Sequence, residues 1–349
     1  MTLPELLKTI KPLDEKAEEL SHKHWDSIAK PLDSLGKLET AVRHIAALTG
    51  NINVDISKRC VLIFCADNGV VAQGVTQTDS SVTAVVAGNM LTGKASVCCM
   101  SRVAGAKVFP VDAGMVTEVE GLRSIKVRRG TRDLSQEPAM TRQECLSVLL
   151  AGMDIARELG EMGCGLLAAG EMGIGNTTTS SAVAAALLGR PAAEMTGKGA
   201  GLTNEGLRKK IAVIDGAIAL HRPDPADPID VLSKVGGFDI AAMIGFYLGC
   251  ARFSVPVVMD GFISTVAALT ATRLCPAARD ALIPSHLSAE PGAGPVMEAL
   301  GFTPLLKLGM ALGEGTGAVS AMPLIDIALR VYFDMPSFDG IGIEAYQPL

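Results

Sequence analysis

Residues 60–66, Cys60-Val61-Leu62-Ile63-Phe64-Cys65-Ala66, form an unbroken apolar run that stops at Asp67-Asn68-Gly69. A strand with water on one side alternates apolar and polar residues, so an uninterrupted run belongs to a strand covered on both faces, as in parallel sheets packed between helices. The same design recurs. Residues 106–114 lead to Asp112 and Gly114, residues 165–170 lead to Glu171, and residues 255–259 lead to Asp260-Gly261. Helical patterns lie between and beyond them, over residues 80–90, 95–104, 142–159, 182–188, 204–220, 229–235, 241–250, 265–274 and 318–332. The chain therefore reads as an α/β fold with a parallel sheet flanked by helices. Asp67, Asp112, Glu171 and Asp260 sit at strand tips, where open α/β sheets bind ligands.

At 349 residues, 48% hydrophobic and 19% charged, the chain can bury a large core and has room for one large domain and a smaller one, which excludes a disordered protein. Its net charge of −6 and the lack of a basic stripe interleaved with aromatics argue against nucleic acid as a partner. No apolar run reaches the ~18 residues of a membrane span, and no secretory signal precedes the cysteines, so a cytoplasmic protein is expected. None of the eight cysteines forms a C-x-x-C pair and most lie in apolar runs, which predicts buried reduced thiols. The five histidines are scattered without metal spacing, and no metal is expected.

Residues 1–29 are helix-rich, with Ala17, Leu20, His24 and Ile28 at helical spacing. Residues 30–39, punctuated by Pro31 and Gly36, run into a helix reaching about residue 48. They read either as a connecting turn with a surface lysine or as an arm reaching a neighbouring subunit. Arg123, Lys126, Arg128, Arg129 and Arg132 make residues 121–140 the most basic stretch, a solvated loop or a contact to an anionic substrate. A polar tail is expected after residue 332.

Two Gly-rich stretches carry the chemistry. After the strand at 165–170 come Glu171-Met172-Gly173-Ile174-Gly175-Asn176-Thr177-Thr178 and then a helix. Strand, glycines and hydroxyl residues at a helix start hold a phosphate, because free amides, the positive end of the helix dipole and hydroxyl donors converge. It is not a Walker loop, since no Gly-Lys-Ser/Thr closes it. A second glycine loop at 196–201 follows, then a helix bearing Arg208, Lys209 and Lys210, from which a lysine can reach an anion. Near the C-terminus, Glu314 stands between Gly313 and Gly315, which leave no side chain over its carboxylate and so make it a candidate proton acceptor. Aromatics are only 4% of the chain, so an aliphatic slot is the expected ring pocket.

The 30–39 segment, Cys65-Ala66-Asp67-Asn68-Gly69-Val70, Gly170-Glu171-Met172-Gly173-Ile174-Gly175-Asn176-Thr177-Thr178, the 232–239 segment ending Gly236-Gly237-Phe238-Asp239, Asp260-Gly261-Phe262, the 283–290 segment and Leu312-Gly313-Glu314-Gly315-Thr316-Gly317 together resemble the nicotinate-nucleotide:dimethylbenzimidazole phosphoribosyltransferase family, in the family's order over essentially the full length. The resemblance implies a large Rossmann-like domain (56–300) and a small helical domain built from both ends (1–55 with 301–349). It implies no cofactor, and transfer of the 5-phosphoribosyl group of nicotinate mononucleotide to a lower-ligand base, giving an α-ribotide for cobamide synthesis. On this resemblance Glu314 is the general base and Glu171 a second acid. Gly175, Asn176, Thr177 and Thr178 cradle the phosphate, Lys210 reaches the same nucleotide and Gly199 borders the ribose. Asp260, Ser288, Gly313 and Gly315 lie at substrate-contacting motif positions. Thr78 and Val86 stand where benzimidazole-using members carry Ser and Gln, which leaves phenolic acceptors open beside benzimidazoles. Also open are a homodimer or a heterodimer with a paralogue, and a non-catalytic partner subunit.

Overall fold

The computed structural model describes residues 2–346. Its sheet contains β1 (Arg59–Ala66), β2 (Ala106–Gly114), β3 (Arg123–Ser124), β4 (Leu166–Met172), β5 (Val257–Met259) and β6 (Leu282–Pro284), in the order β3-β2-β1-β4-β5-β6 with every neighbouring pair parallel. The chain winds outward from β1 to β3, returns to β4 beside β1, and winds the other way. Between β1 and β4 the connections diverge to opposite sides, which leaves a crevice at the carboxyl ends of these two strands.

β1 is buried at all eight positions. Leu62 and Phe64 face a core shared with Leu149, Phe238 and Phe246, whereas Val61, Ile63 and Cys65 face a second core with Trp25, Ile45, Met322 and Tyr332. On the first face the helices Arg142–Glu161 and Phe238–Arg252 cross with backbone in contact: a Cβ at Gly152 would run into Ala242 O, and one at Gly245 into Leu149 O. Small residues there are what the close crossing requires. On the second face pack the helices Glu15–Ser27 and Lys37–Thr49 from one chain end and Thr316–Asp334 from the other.

Several expectations change. Glu15–Ser27 buries Ala17, Ser21 and Trp25 while Leu20 is 42% exposed, because the indole has the most apolar area to remove from water. The 30–39 segment folds onto its own chain: Lys30 is buried, 2.7 Å from Glu39 and over the Trp25 ring, and Lys37 donates to Pro304 O. Four helices begin earlier than their patterns suggest, at Asn176, Phe238, Phe262 and Thr316; at Asn176 and Thr316 the small and polar first-turn residues carry no apolar period. The basic stretch is mostly neutralised within the chain, by Arg123–Glu158, Lys126–Asp112, Arg129–Glu118 and Arg132–Glu144 pairs. Asp112 is thereby a structural partner of Lys126 within β2. Cys99 is exposed and Cys275 half-buried, while the other six thiols are buried as expected. The tail contains the short helix Phe338–Ile341 and exposes Ile341, Ile343 and Tyr346, so it is less polar than expected; residues 347–349 lie outside the described residues.

Two stretches are long and apolar enough to cross a membrane by composition alone, contrary to the sequence reading. Ser81–Val103 is interrupted at residues 92–95, and Thr316–Asp334 buries Ala318, Met322 and Ile325 in the second core, as a core helix does.

Candidate active site

β4 carries Glu171 to the crevice, and the chain then turns through Gly173-Ile174-Gly175 into the helix Asn176–Leu188. Gly175 takes φ = +92°, a left-handed conformation in which a side chain is strained, and caps the helix with no side-chain hydrogen bond. The Ile174 amide donates to Thr83 Oγ1 at 3.2 Å and its carbonyl accepts from Asn68. Asn176, in the first helical turn, donates its side-chain amide both to Glu171 Oε2 and to Asp239 Oδ2, the latter at 2.9 Å.

The facing rim is the Gly313-Glu314-Gly315 turn, in which all three residues are left-handed, with φ = +83°, +60° and +78°. For Glu314 that conformation costs about 1–2 kcal/mol, so the surroundings must hold it. Asp260, at the end of β5, does so. Its Oδ2 accepts from Gly315 N at 2.9 Å and its Oδ1 from Gly317 N at 2.7 Å and Ala318 N at 3.3 Å, filling the amino end of the Thr316–Asp334 helix. A methyl group at Gly313 would come within 2.5 Å of Glu171 Oε1, so the glycine brings the two acids to one place.

These acids are held away from their ordinary ionisation. Burial is the main cause pushing the Glu171 carboxyl up to about 8; the Asp239 charge adds to it, the Asn176 amide opposes it, and Asp260 and Glu314 add further repulsion. Burial likewise raises Asp239 to about 6 and Asp260 above its usual value, the latter opposed by the His286 charge and the three backbone amides. Glu314 is half-buried, with its Oε2 buried and unpartnered; desolvation raises its pKa, a hydrogen bond from the Val97 amide opposes this and the Asp260 charge adds to it.

Beside the acids lies a cationic corner. Lys210, only 1% exposed, reaches from the Asn204–His221 helix to Thr177 Oγ1 at 2.8 Å and Gly197 O at 3.2 Å, and burial lowers its pKa to about 8 against the pull of Glu290. Gly199, at φ = +55°, would put a Cβ 2.9 Å from Thr177 Oγ1. A buried lysine bonded only to a hydroxyl and a carbonyl, next to an uncapped helix start, attracts an anion.

A cleft of about 230 Å³ is lined by Glu171, Asn176, Thr177, Gly199, Asp260, Ser288, Gly313 and Glu314 among others. It adjoins a cavity of about 80 Å³ lined by Thr78, Gly175, Asn176, Thr177, Gly199 and Lys210. Gly315 sits behind the cleft, where a Cβ would meet Val61 at 3.0 Å. Thr178 is fully buried with an unpartnered hydroxyl, and Val86 packs against the second core; neither lines these two cavities. Asp67 is buried with one oxygen on Val116 N at 2.8 Å. Sequence reasoning assigned no role to Asp239, to His286, 3.8 Å from Asp260, or to Glu290, whose Oε2 is buried without a partner. Asp239 was legible in principle, since Gly236-Gly237-Phe238-Asp239 repeats the glycine-and-acid pattern of the strand tips. A larger cavity of about 580 Å³ at the amino ends of β1 and β2 is open, and its Arg59 is spent on Asp326. No metal-binding cluster of three or more His, Cys, Asp or Glu occurs among the described residues.

The phosphoribosyltransferase family model DBI_PRT matches residues 10–343. A Ruminiclostridium cellulolyticum protein named nicotinate-nucleotide–dimethylbenzimidazole phosphoribosyltransferase is 46% identical over 351 residues, covering all of both chains. The protein of that name from Acetivibrio thermocellus is 46% identical over 344 residues, covering 98% of each. The crystal structure of CobT from Thermus thermophilus superimposes with a TM-score of 0.90 at 41% identity, covering 95% of this chain and all of that one.

Proposed function

This chain belongs to the nicotinate-nucleotide–dimethylbenzimidazole phosphoribosyltransferase family, and from that premise we propose that it transfers the 5-phosphoribosyl group of nicotinate mononucleotide to a dimethylbenzimidazole-type base, releasing nicotinate and forming the α-ribotide used in cobamide synthesis. The observation that carries the reading is the shared cleft: Glu314 and Glu171 line it, and the Lys210–Thr177 corner adjoins it. In this reading the nucleotide phosphate takes the unfilled start of the Asn176–Leu188 helix beside Lys210. The azole attacks C1′ through one nitrogen and loses the proton of the other to Glu314, whose unpartnered Oε2 is free to accept it, while the glycosidic bond to nicotinate breaks. A carboxylate beside C1′ also steadies the positive charge that develops there.

The argument for a phenolic acceptor rested on an apolar Val86 in the ring pocket. Since Val86 lines neither cavity, the benzimidazole-type acceptor is the better supported reading. One chain supplies both acids and the anion corner, so a silent-subunit role has nothing to recommend it. A cytoplasmic homodimer belongs to the same proposal, as does a small unit of residues 1–55 with 301–349 against a large unit of 56–300. Packing of Trp25 and Ile45 against Tyr332 supports the union of the two chain ends, and the same core continues into β1 through Val61 and Ile63. Incubation with nicotinate mononucleotide and a panel of benzimidazole, purine and phenolic acceptors tests the reaction. Nicotinate release with dimethylbenzimidazole is expected; nucleotide binding without release for every acceptor would overturn it.

A further inference from the structure

The cleft acid Glu171 is tied to a residue that does not itself line the cleft. Asp239, with no exposed surface, opens the helix Phe238–Arg252 and accepts from its own helix at Ile240 N, 3.0 Å away. Its other oxygen accepts from Asn176 Nδ2, and that same nitrogen donates to Glu171 Oε2. A single side-chain amide thus spends both hydrogens on two carboxyl groups. The neighbourhood is built to this arrangement: a Cβ at Gly237 would lie only 2.5 Å from Asp239 Oδ1 and would displace the acid, and one at Gly173 would meet Ala66 O at 2.3 Å and Asp239 Oδ2 at 3.0 Å.

We propose that Asp239 is a positioning residue that sets, through Asn176, both the orientation and the charge of Glu171: the two carboxyls share one negative charge, which rests on Asp239, and Glu171 presents its O–H to the substrate. Two buried carboxylates bridged by one neutral amide cannot both stay ionised, because no cation compensates the second charge. Asp239 has two backbone or amide donors on its oxygens, whereas Glu171 has one, so the charge settles on Asp239. The higher pKa of Glu171 agrees with that division. With Oε2 occupied by Asn176, the proton belongs on Oε1, the oxygen beside Gly313 at the cleft. Of the other titratable groups that face the pair, Asp260 and Glu314 favour a protonated Glu171, Asp67 repels the charge on Asp239 and is outweighed there by the two donors, and the Cys65 thiol, held neutral by burial, adds no charge. A neutral carboxylic acid at this point donates a hydrogen bond to an oxygen of the bound nucleotide, such as a ribose hydroxyl or the carboxylate of the leaving nicotinate, without adding repulsion toward that anion.

The inference rests on the proposed reaction only for its kinetic consequence. Infrared titration of the ligand-free protein reads the protonated carboxyl directly, so its outcome stands even if the transferase assay fails. A carboxylic C=O band present at pH 7 and absent in Glu171→Gln is expected. Asp239→Asn removes the repelling charge and should move the band's titration down by about one pH unit or more. Asn176→Ala removes the amide donor to Glu171 but keeps both acids, and should move it up. In the kinetic assay Asp239→Asn should bring the alkaline limb of kcat down by the same amount, about fivefold in rate at pH 8, with the nucleotide KM less affected. A merely structural role would instead lower rate and Tm evenly across pH. Absence of the band in the wild-type protein overturns the proposal, as does an identical titration in either variant.

Discussion

The two rims of the cleft are the same local device used to opposite ends. On one side Gly173-Ile174-Gly175 leads into the helix Asn176–Leu188, and on the other Gly313-Glu314-Gly315 leads into the helix Thr316–Asp334. Both turns place a left-handed glycine at the helix N-cap, Gly175 at +92° and Gly315 at +78°, and both are followed by small or hydroxyl residues. They differ in what meets the exposed amides. The second helix start is filled by a carboxylate of the protein, Asp260, through three backbone amides, whereas at the first the Asn176 and Thr178 amides turn back to the Gly173 and Gly175 carbonyls, no side chain caps it, and a buried lysine stands beside it. A filled start is rigid and holds Glu314 in its strained conformation; an unfilled one is available to a ligand. The difference teaches that a glycine-rich helix entry acquires its role from the acid or base that stands across from it.

Four measurements sharpen or break that contrast. The largest effect is expected for Glu314→Gln, which keeps the shape of the filled rim and removes its base. Turnover should fall ~10²-fold or more while nucleotide affinity stays near that of the wild type, and unchanged turnover would remove Glu314 from its role. In the parent enzyme the acidic limb of kcat should lie above the ordinary glutamate range, because burial raises the Glu314 pKa and the base form is lost as pH falls through it.

Lys210→Met attacks the other rim. Nucleotide KM should rise by about tenfold or more, while the ligand-free protein gains Tm, since an unpaired buried charge is removed. The folded Lys210 titrates near 8, below its ordinary 10.5, so between these values the unfolded chain binds more protons and wild-type stability should rise with pH. Calorimetry of the variant should show that rise missing.

Asp260→Ala empties the filled helix start. A cost of about 3 kcal/mol, read as a Tm lower by several degrees, is expected together with reduced turnover, because the Gly315, Gly317 and Ala318 amides lose their acceptor. An unaltered Tm would mean that Asp260 is not what holds the turn. The smallest shift belongs to Glu171→Gln. Glu171 titrates near 8 when folded, above its ordinary 4.5, so the native state keeps a proton that the unfolded chain releases, and wild-type stability declines as pH rises from about 4.5 to 8. The variant should therefore gain about 2 °C or more over the wild type between pH 5 and pH 8.

Much of the molecule was legible beforehand. The runs at 60–66 and 165–170 became the central pair of parallel strands, because continuous apolar residues have no stable place except between two covered faces, whereas 106–114 became a strand whose first half is partly exposed, with Phe109 in solvent. β3 and β6 were not legible: at two and three residues they are too short to show any period, and pairing with their neighbours alone makes them strands. Strand tips gave the acids, yet could not sort them. Asp112 turned inward to Lys126, Asp260 borders the cleft with both oxygens spent on a helix start, and Glu171 faces the cleft. Asp239 was read only as the end of a glycine-rich segment; its bond to Asn176, 63 positions away, was not legible.

The long apolar strands, the glycine-rich turns and the carboxylates at the ends of β1, β4 and β5 were set by the sequence alone, since these follow from side-chain volume and hydropathy within a few residues. Tertiary structure alone decided which acid stays charged, which amide group is already satisfied and which is left for a ligand. Those outcomes depend on desolvation and on the distance to groups brought in by other elements, 55 positions along the chain between Asp260 and Gly315 and 33 between Thr177 and Lys210.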